Sequence, residues 1–508
     1  MLCLRNGSLR GLAPQSLSST ISRTTRIAAA HKRDFSIAQL DAERKNRERV
    51  VVLGSGWGGF TLSRDLDAKK YQIVVVSPRS YFVFTPLLAG TSVGTLEFRT
   101  ALEPVRSFRG RGVGAEYFQG WADQVDFETK TLTIEESVED PLQGRGLASS
   151  IHAQKTKEER KEEKEMLAEK GQLFDLSYDK LVVAVGCYSQ TFDTKGVKEF
   201  AYFLKDVGDA RRIRNRLLSC FEIAALPTTS DEMRSQILNF AVVGGGPTGI
   251  EWSAELHDLI HEDMSRLYPE LVQHCKITVY DVAPTILSMF DEKLSKYAMK
   301  TFARNGIEIK TNHHVQELRP GAVIRPGVKD KFSCYTLNLK EQGEVGVGMC
   351  VWSTGLMMNP FVETGLKDKV KQHPKSHGIL TDSHLQIQSP DGTPVRDVYA
   401  LGDCAILEGT SYPATAQVAA QKASWLAKRL NKGDLQKTEF KYKDLGVMAY
   451  IGNQNAILQS SGGNISGLMA WFIWRGVYLS KSMSWRNRIL IPIYWSINWL
   501  FGRDISRF

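Results

Sequence analysis

The chain has 508 residues, which is enough for two or three domains at roughly 100–200 residues each. Its hydrophobic share of 42% and its charged share of 24% are ordinary for a globular protein and exclude wholesale disorder. The formal net charge of +9 is compatible with nucleic acid, an anionic membrane or anionic cofactors and selects none of them. No two of the seven cysteines have CxxC spacing, so we expect neither a zinc cage nor a disulfide framework.

Residues 1–35 have the composition of a mitochondrial presequence. Asp34 is the first carboxylate of the chain, and serines, threonines and cations precede it. No continuous apolar core of the secretory type is present. Arg33-Asp34-Phe35-Ser36 also resembles a matrix-protease cleavage site, and a disordered basic tail is the alternative interpretation. The cations are Arg5, Arg10, Arg23, Arg26, Lys32 and Arg33.

The chain from residue 50 has the pattern of a strand, a glycine-rich turn and a helix. The apolar run Val50–Leu53 leads into a GxGxxG motif, and a β-branched run follows at Ile73–Val76. In such a motif the first glycine permits the tight turn, the second admits a pyrophosphate and the third lets helix and strand pack closely. These glycines are Gly54, Gly56 and Gly59, and they predict dinucleotide binding. Ser77 stands where the second strand usually ends in a ribose-binding acid.

A second motif of the same kind begins at residue 244, so the chain contains an internal repeat of architecture. The run Phe240–Val243 precedes Gly244-Gly245-Gly246-Pro247-Thr248-Gly249, and a later strand pattern, Lys276–Asp281, ends in an acid. A carboxylate there accepts hydrogen bonds from ribose hydroxyls and repels a 2′-phosphate, which favours NADH over NADPH. A surface turn acid is the alternative interpretation of Asp281.

Three further apolar runs end in glycine: Leu181–Gly186, Val351–Gly355 and Val398–Gly402, the last followed by Asp403. Each alone is a common buried strand end. In this order, between and after two glycine turns, they resemble the strand ends of the flavoprotein superfamily with two dinucleotide domains. The resemblance implies an α/β fold with two Rossmann-type domains, one for FAD and one for NADH. The tail described below adds an expected C-terminal amphipathic-helical region that anchors the chain to a membrane.

The resemblance narrows to the mitochondrial type II (alternative) NADH:ubiquinone oxidoreductases, within the pyridine nucleotide-disulfide oxidoreductase superfamily. Ser77–Leu88, Gly245–Glu251 and Ala416–Gln421 are similar to segments of that family, and fungal and plant members carry Ser at the position of Ser77. The resemblance runs from about Arg49 to the C-terminus. It implies non-covalent FAD, NADH as substrate and ubiquinone as acceptor.

The resemblance also implies roles for particular residues. Glu251, Gln417 and Gln421 are the expected catalytic residues, with Glu251 at the NADH site and the two glutamines facing the quinone. Two polar residues on an exposed helix face are the alternative interpretation of the glutamine pair. The expected FAD residues are Gly54, Gly56, Gly59, Ser77, Thr85, Pro86, Gly186 and Asp403. The expected NADH residues are Gly244, Gly246, Gly249 and Asp281, with Thr354 and Gly355 nearby.

The tail of the chain is expected to lie on a membrane surface. It holds five of the ten tryptophans together with interleaved cations, and no stretch reaches the ~18 apolar residues that a spanning helix needs. Such composition is typical of helices in the membrane interface. A dimer interface or a buried core helix is the alternative. The tryptophans are Trp471, Trp474, Trp485, Trp495 and Trp499.

These expectations define a domain scheme and a function. The function is NADH:ubiquinone oxidation-reduction without proton pumping, by a peripheral enzyme of the mitochondrial inner membrane that forms a homodimer and binds no nucleic acid. Two alternatives stay open: a sulfide:quinone oxidoreductase, which needs paired redox cysteines, and a regulatory flavoprotein of the apoptosis-inducing type. The expected segments are the presequence 1–35, FAD-binding parts 46–237 and 357–440 with a charged insertion at 138–176, an NADH-binding domain 238–356 and a membrane-anchoring region 441–508.

Overall fold

The computed structural model describes residues 36–106, 115–137, 171–324, 326 and 333–506. The expected presequence 1–35 and most of the charged insertion therefore lie outside the described residues. The chain divides into two compact units, Met1–Asn46 and Arg47–Phe508. In the first unit, the Ser36 hydroxyl accepts a hydrogen bond of 3.1 Å from Gln39 N and caps a short helix. All of the sheets described below belong to the second unit.

The described helices are α1 Ile37–Arg44, α2 Trp57–Asp65, α3 Leu88–Ser92, α4 Val197–Phe200, α5 Val207–Ala225, α6 Asp231–Ile237, α7 Pro247–Leu259, α8 Ser265–Leu267, α9 Glu292–Arg304, α10 Ala416–Lys432, α11 Leu468–Lys481 and α12 Trp485–Phe501. A π-helical turn, Ile260–Met264, joins α7 to α8.

The described strands are β1 Glu48–Leu53, β2 Tyr71–Ser77, β3 Tyr81–Val83, β4 Leu102–Pro104, β5 Ala115–Asp126, β6 Thr131–Glu136, β7 Leu173–Ser177, β8 Lys180–Val183, β9 Cys187–Ser189, β10 Asn239–Val243, β11 Lys276–Asp281, β12 Glu308–Thr311, β13 Val315–Pro320, β14 Tyr335–Leu339, β15 Gly343–Val347, β16 Met349–Trp352, β17 Leu356–Met358, β18 Ile379–Thr381, β19 Gln386–Gln388, β20 Pro394–Ala400, β21 Ala405–Leu407, β22 Val447–Tyr450, β23 Ala456–Ser460 and β24 Gly463–Gly467.

The first sheet has the strand order β21-β18-β19-β20-β8-β1-β2-β5-β6-β7. Its centre, β20 to β5, is parallel, and antiparallel pairs flank the centre on both sides, whereas the outermost pair β21-β18 is parallel. Strand β1 pairs in parallel with β2 and β8, and its last five residues are buried. Strands buried on both faces read as unbroken apolar runs, which explains the pattern Val50–Leu53. The first glycine motif leaves β1 at its carboxyl end, where crevices in sheets of this kind bind ligands.

The second sheet repeats this arrangement with four parallel strands in the order β12-β11-β10-β16. Strand β10 is buried throughout and leads through the second glycine motif into α7. A three-stranded antiparallel sheet, β13-β14-β15, lies between β12 and β16 in the chain. Two parallel sheets with a glycine motif at the same edge confirm the expected pair of Rossmann-type folds.

The end of the charged insertion differs from the expected boundary at residue 176. Leu173–Ser177 forms β7, which pairs antiparallel with β6 at the edge of the first sheet. Leu176 is fully buried there. Because Leu176 is buried, residues 173–177 belong to the first sheet. The charged insertion therefore ends before β7.

The C-terminal region begins with a three-stranded antiparallel sheet, β22-β23-β24, which the sequence analysis did not predict. The expected helices follow it as α11 and α12, and α11 packs against β23 and β24. Within the described part of the chain, no helix is long and apolar enough to cross a membrane.

Candidate active site

The first glycine motif joins β1 to α2 through a turn that requires glycine. Gly54 N donates to Val76 O at 2.8 Å, and its φ of +106° is one that residues with a side chain rarely adopt. A Cβ on Gly59 would lie 1.9 Å from Gly54 O, so only glycine allows this packing of α2 on β1. A Cβ on Gly56, in contrast, would have no atom within 4 Å, and no side chain caps α2. The open space and uncapped N–H groups suit a phosphate.

Two neighbouring segments border this motif. Ser77, at the end of β2, is 4% exposed, and its Oγ lies 3.0 Å from the Oγ of Ser55 in the glycine turn. Trp57, at the start of α2, donates from Nε1 to Thr85 Oγ1 at 3.1 Å, and Pro86 follows in the same short 3-10 helix. Ser77 therefore contacts the glycine turn through Ser55. Thr85 and Pro86 lie beside the N-terminus of α2.

The carboxyl end of β20 brings Asp403 to the same edge of the first sheet. Burial raises the pKa of Asp403, and the nearby amines of Lys205 and Lys422 act against this rise. Lys422, in α10, donates from Nζ to Ala405 O at 3.3 Å, and burial lowers its pKa to about 8. Gly186 follows the adjacent strand β8 with a φ of +69° and has open space where a Cβ would stand. The expected FAD residues thus lie at one edge of the first sheet, with open space beside Gly56 and Gly186.

The second glycine motif has the same geometry as the first. Gly244 N donates to Tyr280 O at 2.8 Å with a φ of +111°, and a Cβ on Gly249 would lie 2.1 Å from Gly244 O. A Cβ on Gly246 would have no atom within 4 Å, and α7 has no side-chain cap. This second cradle also offers free N–H groups to a phosphate.

Asp281 ends β11 beside the second glycine motif. Its Oδ2 accepts a hydrogen bond from Gly245 N, and its Oδ1 accepts one of 2.7 Å from Ala283 N. The side chain is partly exposed. Because a carboxylate offers about four acceptor positions, two remain for the hydroxyls of a ribose.

Thr354 and Gly355 follow β16, the strand that neighbours β10. Gly355 has a φ of +71°, and a Cβ there would lie 2.7 Å from Gln190 Cβ. Directly after it, β17 pairs antiparallel with β9 of the first Rossmann fold. These two residues therefore lie where the two Rossmann folds join.

Gln417 and Gln421 lie one turn apart in α10 and bind the chain segment before β22. Gln417 accepts hydrogen bonds from Tyr442 Oη and from Leu445 N at 3.0 Å, and it donates to Gly446 O at 3.2 Å. Gln421 exchanges two backbone hydrogen bonds with Lys443, of 2.8 and 3.0 Å. The pair thus fixes the connection between the first Rossmann fold and the C-terminal region, a contact that their spacing in the sequence did not reveal.

A cavity of about 400 Å³ lies between α7, α3 and the two C-terminal helices. We call it the α7 cavity. Its lining includes Pro86, Glu251, Tyr450, Trp474, Trp499 and Arg503. Glu251 Oε1 accepts hydrogen bonds from Tyr450 N at 3.1 Å and from Trp474 Nε1 at 3.3 Å, while burial raises the pKa of Glu251 to about 7.

Most of the polar residues of this cavity were not predicted from the sequence. Glu255, Asp258 and Glu262 follow Glu251 at spacings of 4, 7 and 11 residues and line the same wall. That spacing was visible in the sequence as one face of a helix. It was not singled out because a stripe of acids on a helix usually marks the face toward solvent.

The cysteines of the described residues lack the reactivity of the redox pair that a sulfide:quinone oxidoreductase requires. None of the six cysteines in the described residues is in a disulfide. Cys350 is fully buried in β16, and burial raises its pKa to about 12. Burial likewise raises the pKa of Cys187 to about 12, and its Sγ lies 3.1 Å from Asp403 O. Thiolates are the reactive form, so these protonated thiols are poor nucleophiles.

The fold and the site together define a class: an oxidoreductase with two Rossmann folds, one cradle for a resident flavin dinucleotide and one for a pyridine nucleotide. A family model described as pyridine nucleotide-disulphide oxidoreductase matches residues 48–423, and one described as NDH2 C-terminal domain matches residues 445–504. Among solved structures, NDH2 from Plasmodium falciparum in complex with NADH has the same fold, with a TM-score of 0.76 and 24% identity over 91% of this chain and all of that one.

Two curated relatives narrow the class. The chain is 34% identical to the internal alternative NAD(P)H-ubiquinone oxidoreductase A1 of Solanum tuberosum, over 99% of this chain and 97% of that protein. It is also 34% identical to the external NADH-ubiquinone oxidoreductase 2 of Saccharomyces cerevisiae, over 91% of this chain and 82% of that protein. The chain belongs to this family of alternative NAD(P)H-ubiquinone oxidoreductases.

Proposed function

We propose that the chain is an FAD-dependent NADH:ubiquinone oxidoreductase of the mitochondrial inner membrane that does not pump protons. The reaction is NADH + H⁺ + ubiquinone → NAD⁺ + ubiquinol. FAD, when bound, accepts a hydride from NADH and passes two electrons to the quinone. The protein positions the two substrates, excludes water and supplies protons.

The two glycine cradles divide these tasks. We assign FAD to the cradle of Gly54, Gly56 and Gly59, with Ser77, Thr85, Pro86, Gly186 and Asp403 around it, and residues 46–237 and 357–440 as its domain. We assign NADH to the cradle of Gly244, Gly246 and Gly249 in residues 238–356, with Asp281 on the ribose and Thr354 and Gly355 at its inner end. The support is geometric: open space beside Gly56 and Gly246, and uncapped helix N-termini that suit pyrophosphates.

The α7 cavity is the observation that carries the assignment of quinone as acceptor. Its lining runs from Pro86 and Glu251, beside the two cradles, to Trp499 in the last helix. Trp499 is 83% exposed, so the cavity reaches the outer face of α12. A hydrophobic quinone could pass from a lipid surface through this cavity toward the flavin cradle, where it would accept two electrons. Gln417 and Gln421 hold residues 442–446, which lead into β22. Tyr450 at the end of β22 and Glu251, early in the helix that follows the second glycine motif, both line the cavity.

The outer faces of α11 and α12 suit the surface of an anionic bilayer. Trp485, Ile489, Ile493, Ile497 and Leu500 form one exposed apolar stripe along α12. Lys481 and Arg486 stand exposed beside it. Apolar and aromatic side chains flanked by cations are typical of helices that lie in a membrane interface. We therefore propose that residues 441–508 bind lipid, with the homodimer as a separate prediction.

Flotation of the full chain with vesicles tests the lipid assignment. The chain should float with vesicles that contain anionic lipid, and Ile489→Glu with Ile493→Glu should abolish flotation. Glu43→Gln in the first unit is a control that should float normally. If the double variant floats normally but changes from dimer to monomer in light scattering, the stripe is a protein interface instead.

NADH oxidation with a short-chain ubiquinone tests the function. We expect fast, FAD-dependent turnover that prefers NADH over NADPH, without proton uptake into sealed vesicles. Ser496 lines the α7 cavity, so the larger side chain of Ser496→Trp would narrow it. This variant should raise the quinone KM at least tenfold while leaving reduction of the bound FAD by NADH unchanged. Ser480→Trp is the matched control, since both serines are exposed and bond the preceding helical turn.

Reduction of the FAD without quinone turnover would overturn the proposed function. Sulfide-dependent quinone reduction that is lost in Cys350→Ser would favour the sulfide alternative. Slow turnover together with tight, salt-sensitive DNA binding would favour the regulatory one.

A further inference from the structure

One wall of the α7 cavity is acidic. Glu251, Glu255, Asp258 and Glu262 line it in successive turns, from the region of the cradles toward the C-terminal helices. Buried carboxylates are costly unless they are hydrogen-bonded or protonated. A row of them along a cavity therefore points to chemistry that moves protons.

Glu255 is the member of this row with the most defined surroundings. It is 6% exposed, and its Oε2 accepts a hydrogen bond of 2.6 Å from Thr95 Oγ1. Its Oε1 lies beside Gly90 of α3, where a Cβ would stand 3.4 Å away. Both Gly90 and Glu255 line the cavity, so the missing side chain at Gly90 leaves room next to Oε1. One oxygen is thus held by the protein while the other borders the cavity.

Charged and titratable groups on its own helix, on β22 and in the C-terminal helical region interact with Glu255. Glu251 and Asp258 lie on its own helix, and Tyr450 of β22 donates to Asp258. From the C-terminal side come Arg503 and Arg475, and the Arg475 guanidinium lies 4.1 Å from the ring centre of Trp471 and 4.3 Å from that of Trp495.

The balance of these groups places the titration of Glu255 near neutrality. Burial raises the pKa of Glu255 to about 7, while Arg503 and the hydrogen bond from Thr95 act against this rise. The carboxyl can therefore both hold and release a proton at physiological pH.

The far end of the row reaches solvent. Glu262 is exposed, and Arg503 Nη1 binds it at 2.7 Å and Asp263 at 2.6 Å. Arg503 Nε also donates to Thr95 Oγ1 at 3.1 Å. Arg503 therefore binds both Glu262, at the solvent end of the wall, and the Thr95 hydroxyl that donates to Glu255.

We propose that Glu255 is a catalytic residue that gives a proton to the quinone in the α7 cavity, an inference that rests on the proposed function. The carboxyl O–H bond of Glu255 breaks and an O–H bond of the quinol forms. The carboxylate that remains takes up a proton from water at the Glu262 end. Each turnover takes only this one proton from solution. The hydride of NADH supplies both electrons and the second hydrogen of the quinol.

Stopped-flow measurement of the two half-reactions tests the proposal. In Glu255→Gln, which keeps the shape of the side chain but cannot donate an acidic proton, NADH should reduce the bound FAD at the normal rate. Reoxidation by a short-chain ubiquinone should slow at least tenfold at pH 7 and lose its decline at alkaline pH. Glu292→Gln, a change at an acid that pairs with Lys296 on the surface of α9, should behave like the unchanged chain.

Thr95→Val supplies a second variant with a different signature. Losing this hydrogen bond should raise the pKa of Glu255, because the bond favours the ionised form. The alkaline decline of reoxidation should then move to higher pH. The infrared C=O band of the protonated carboxyl, measured without NADH or quinone, should shift its titration in the same direction and disappear in Glu255→Gln.

The outcomes separate this proposal from the proposed function. If the unchanged chain fails to reduce ubiquinone, the proposed function fails. If it reduces ubiquinone and Glu255→Gln reoxidises at the normal rate with the same pH profile, Glu255 is not the donor. A lower melting temperature in both variants without movement of the pH profile would assign Glu255 a structural role and overturn the proposal as well.

Discussion

The two glycine motifs of this chain have nearly the same geometry at their centres. In each, the first glycine donates to the neighbouring strand at 2.8 Å, and the last glycine allows the helix to touch the turn. Each turn also lies against the end of a third strand, at Ala184 O beside Gly54 and at Ser353 O beside Gly244. The centres alone therefore do not tell the two nucleotides apart.

The surroundings of the two motifs differ. The first has a buried serine at the end of β2 and gains a further strand end, Gly402–Asp403, with the amines of Lys205 and Lys422 near it. The second has the partly exposed Asp281 in the corresponding place. A cradle enclosed by an extra strand end suits a cofactor that stays bound, whereas one with an open carboxylate suits a substrate that exchanges. We therefore propose that the residues around each motif set its selectivity between the two nucleotides.

The largest predicted effects come from the last glycine of each motif. Gly59→Ala would place a Cβ 1.9 Å from Gly54 O, and Gly249→Ala would place one 2.1 Å from Gly244 O. The backbone must shift in both, at a cost of roughly 1–3 kcal/mol or ~10–100-fold in affinity. Gly59→Ala should lose FAD on gel filtration. Gly249→Ala should keep FAD and bind NADH ~10–100-fold more weakly by calorimetry. Loss of the same ligand from both variants would contradict the division of the two cradles.

A smaller effect is expected from the acid that distinguishes the motifs. Asp281→Asn removes the charge that repels a 2′-phosphate, so the preference for NADH over NADPH in kcat/KM should fall by ~10-fold, or about 1.4 kcal/mol. Ser77→Ala is the matched change at the other strand end and should leave this preference unchanged. Equal selectivity in Asp281→Asn and the unchanged enzyme would show that Asp281 does not bind the ribose.

The parts of the fold that were predictable are those where local chemistry allows few residues. Gly54 and Gly244 stand at positive φ in turns that must be tight, so the sequence marks them clearly. Strands such as β1 and β10 are buried on both faces and therefore read as apolar runs. These constraints are local, and they were enough to predict two Rossmann-type folds in the correct order.

The parts that were not predictable depend on contacts between distant segments. The strands β22–β24 are short and include an exposed glycine-rich hairpin, so no clear alternation marks them. Gln417 has its partners at 442–446, and Glu255 has Thr95 as its partner, 160 residues away. Only the packing of α7 against the C-terminal helices turns a stripe of acids into a cavity wall.

The smallest predicted effect concerns the buried amine that occurs beside Asp403. Lys422 is 2% exposed and burial lowers its pKa to about 8, so the folded chain holds this proton less tightly than the unfolded one, whose lysine has its ordinary pKa. Below pH 8 both states are protonated and the penalty for the buried charge is fully present. Between about pH 8 and the ordinary pKa the folded chain releases the proton first, so the penalty fades as pH rises.

Lys422→Met should therefore make the FAD-loaded enzyme more stable at pH 7, with a gain that shrinks toward pH 10. The gain should be roughly 1 kcal/mol in urea unfolding, because the lost hydrogen bond to Ala405 O offsets part of the relieved charge penalty. Lys432→Met, at an exposed lysine of the same helix, should show no such dependence on pH. A loss of stability in Lys422→Met that is the same at every pH would mean that the ammonium is needed by the flavin cradle in its charged form. The first cradle would then hold a permanent positive charge beside Asp403. The second cradle would differ from it in electrostatics, because its strand ends in the carboxylate Asp281.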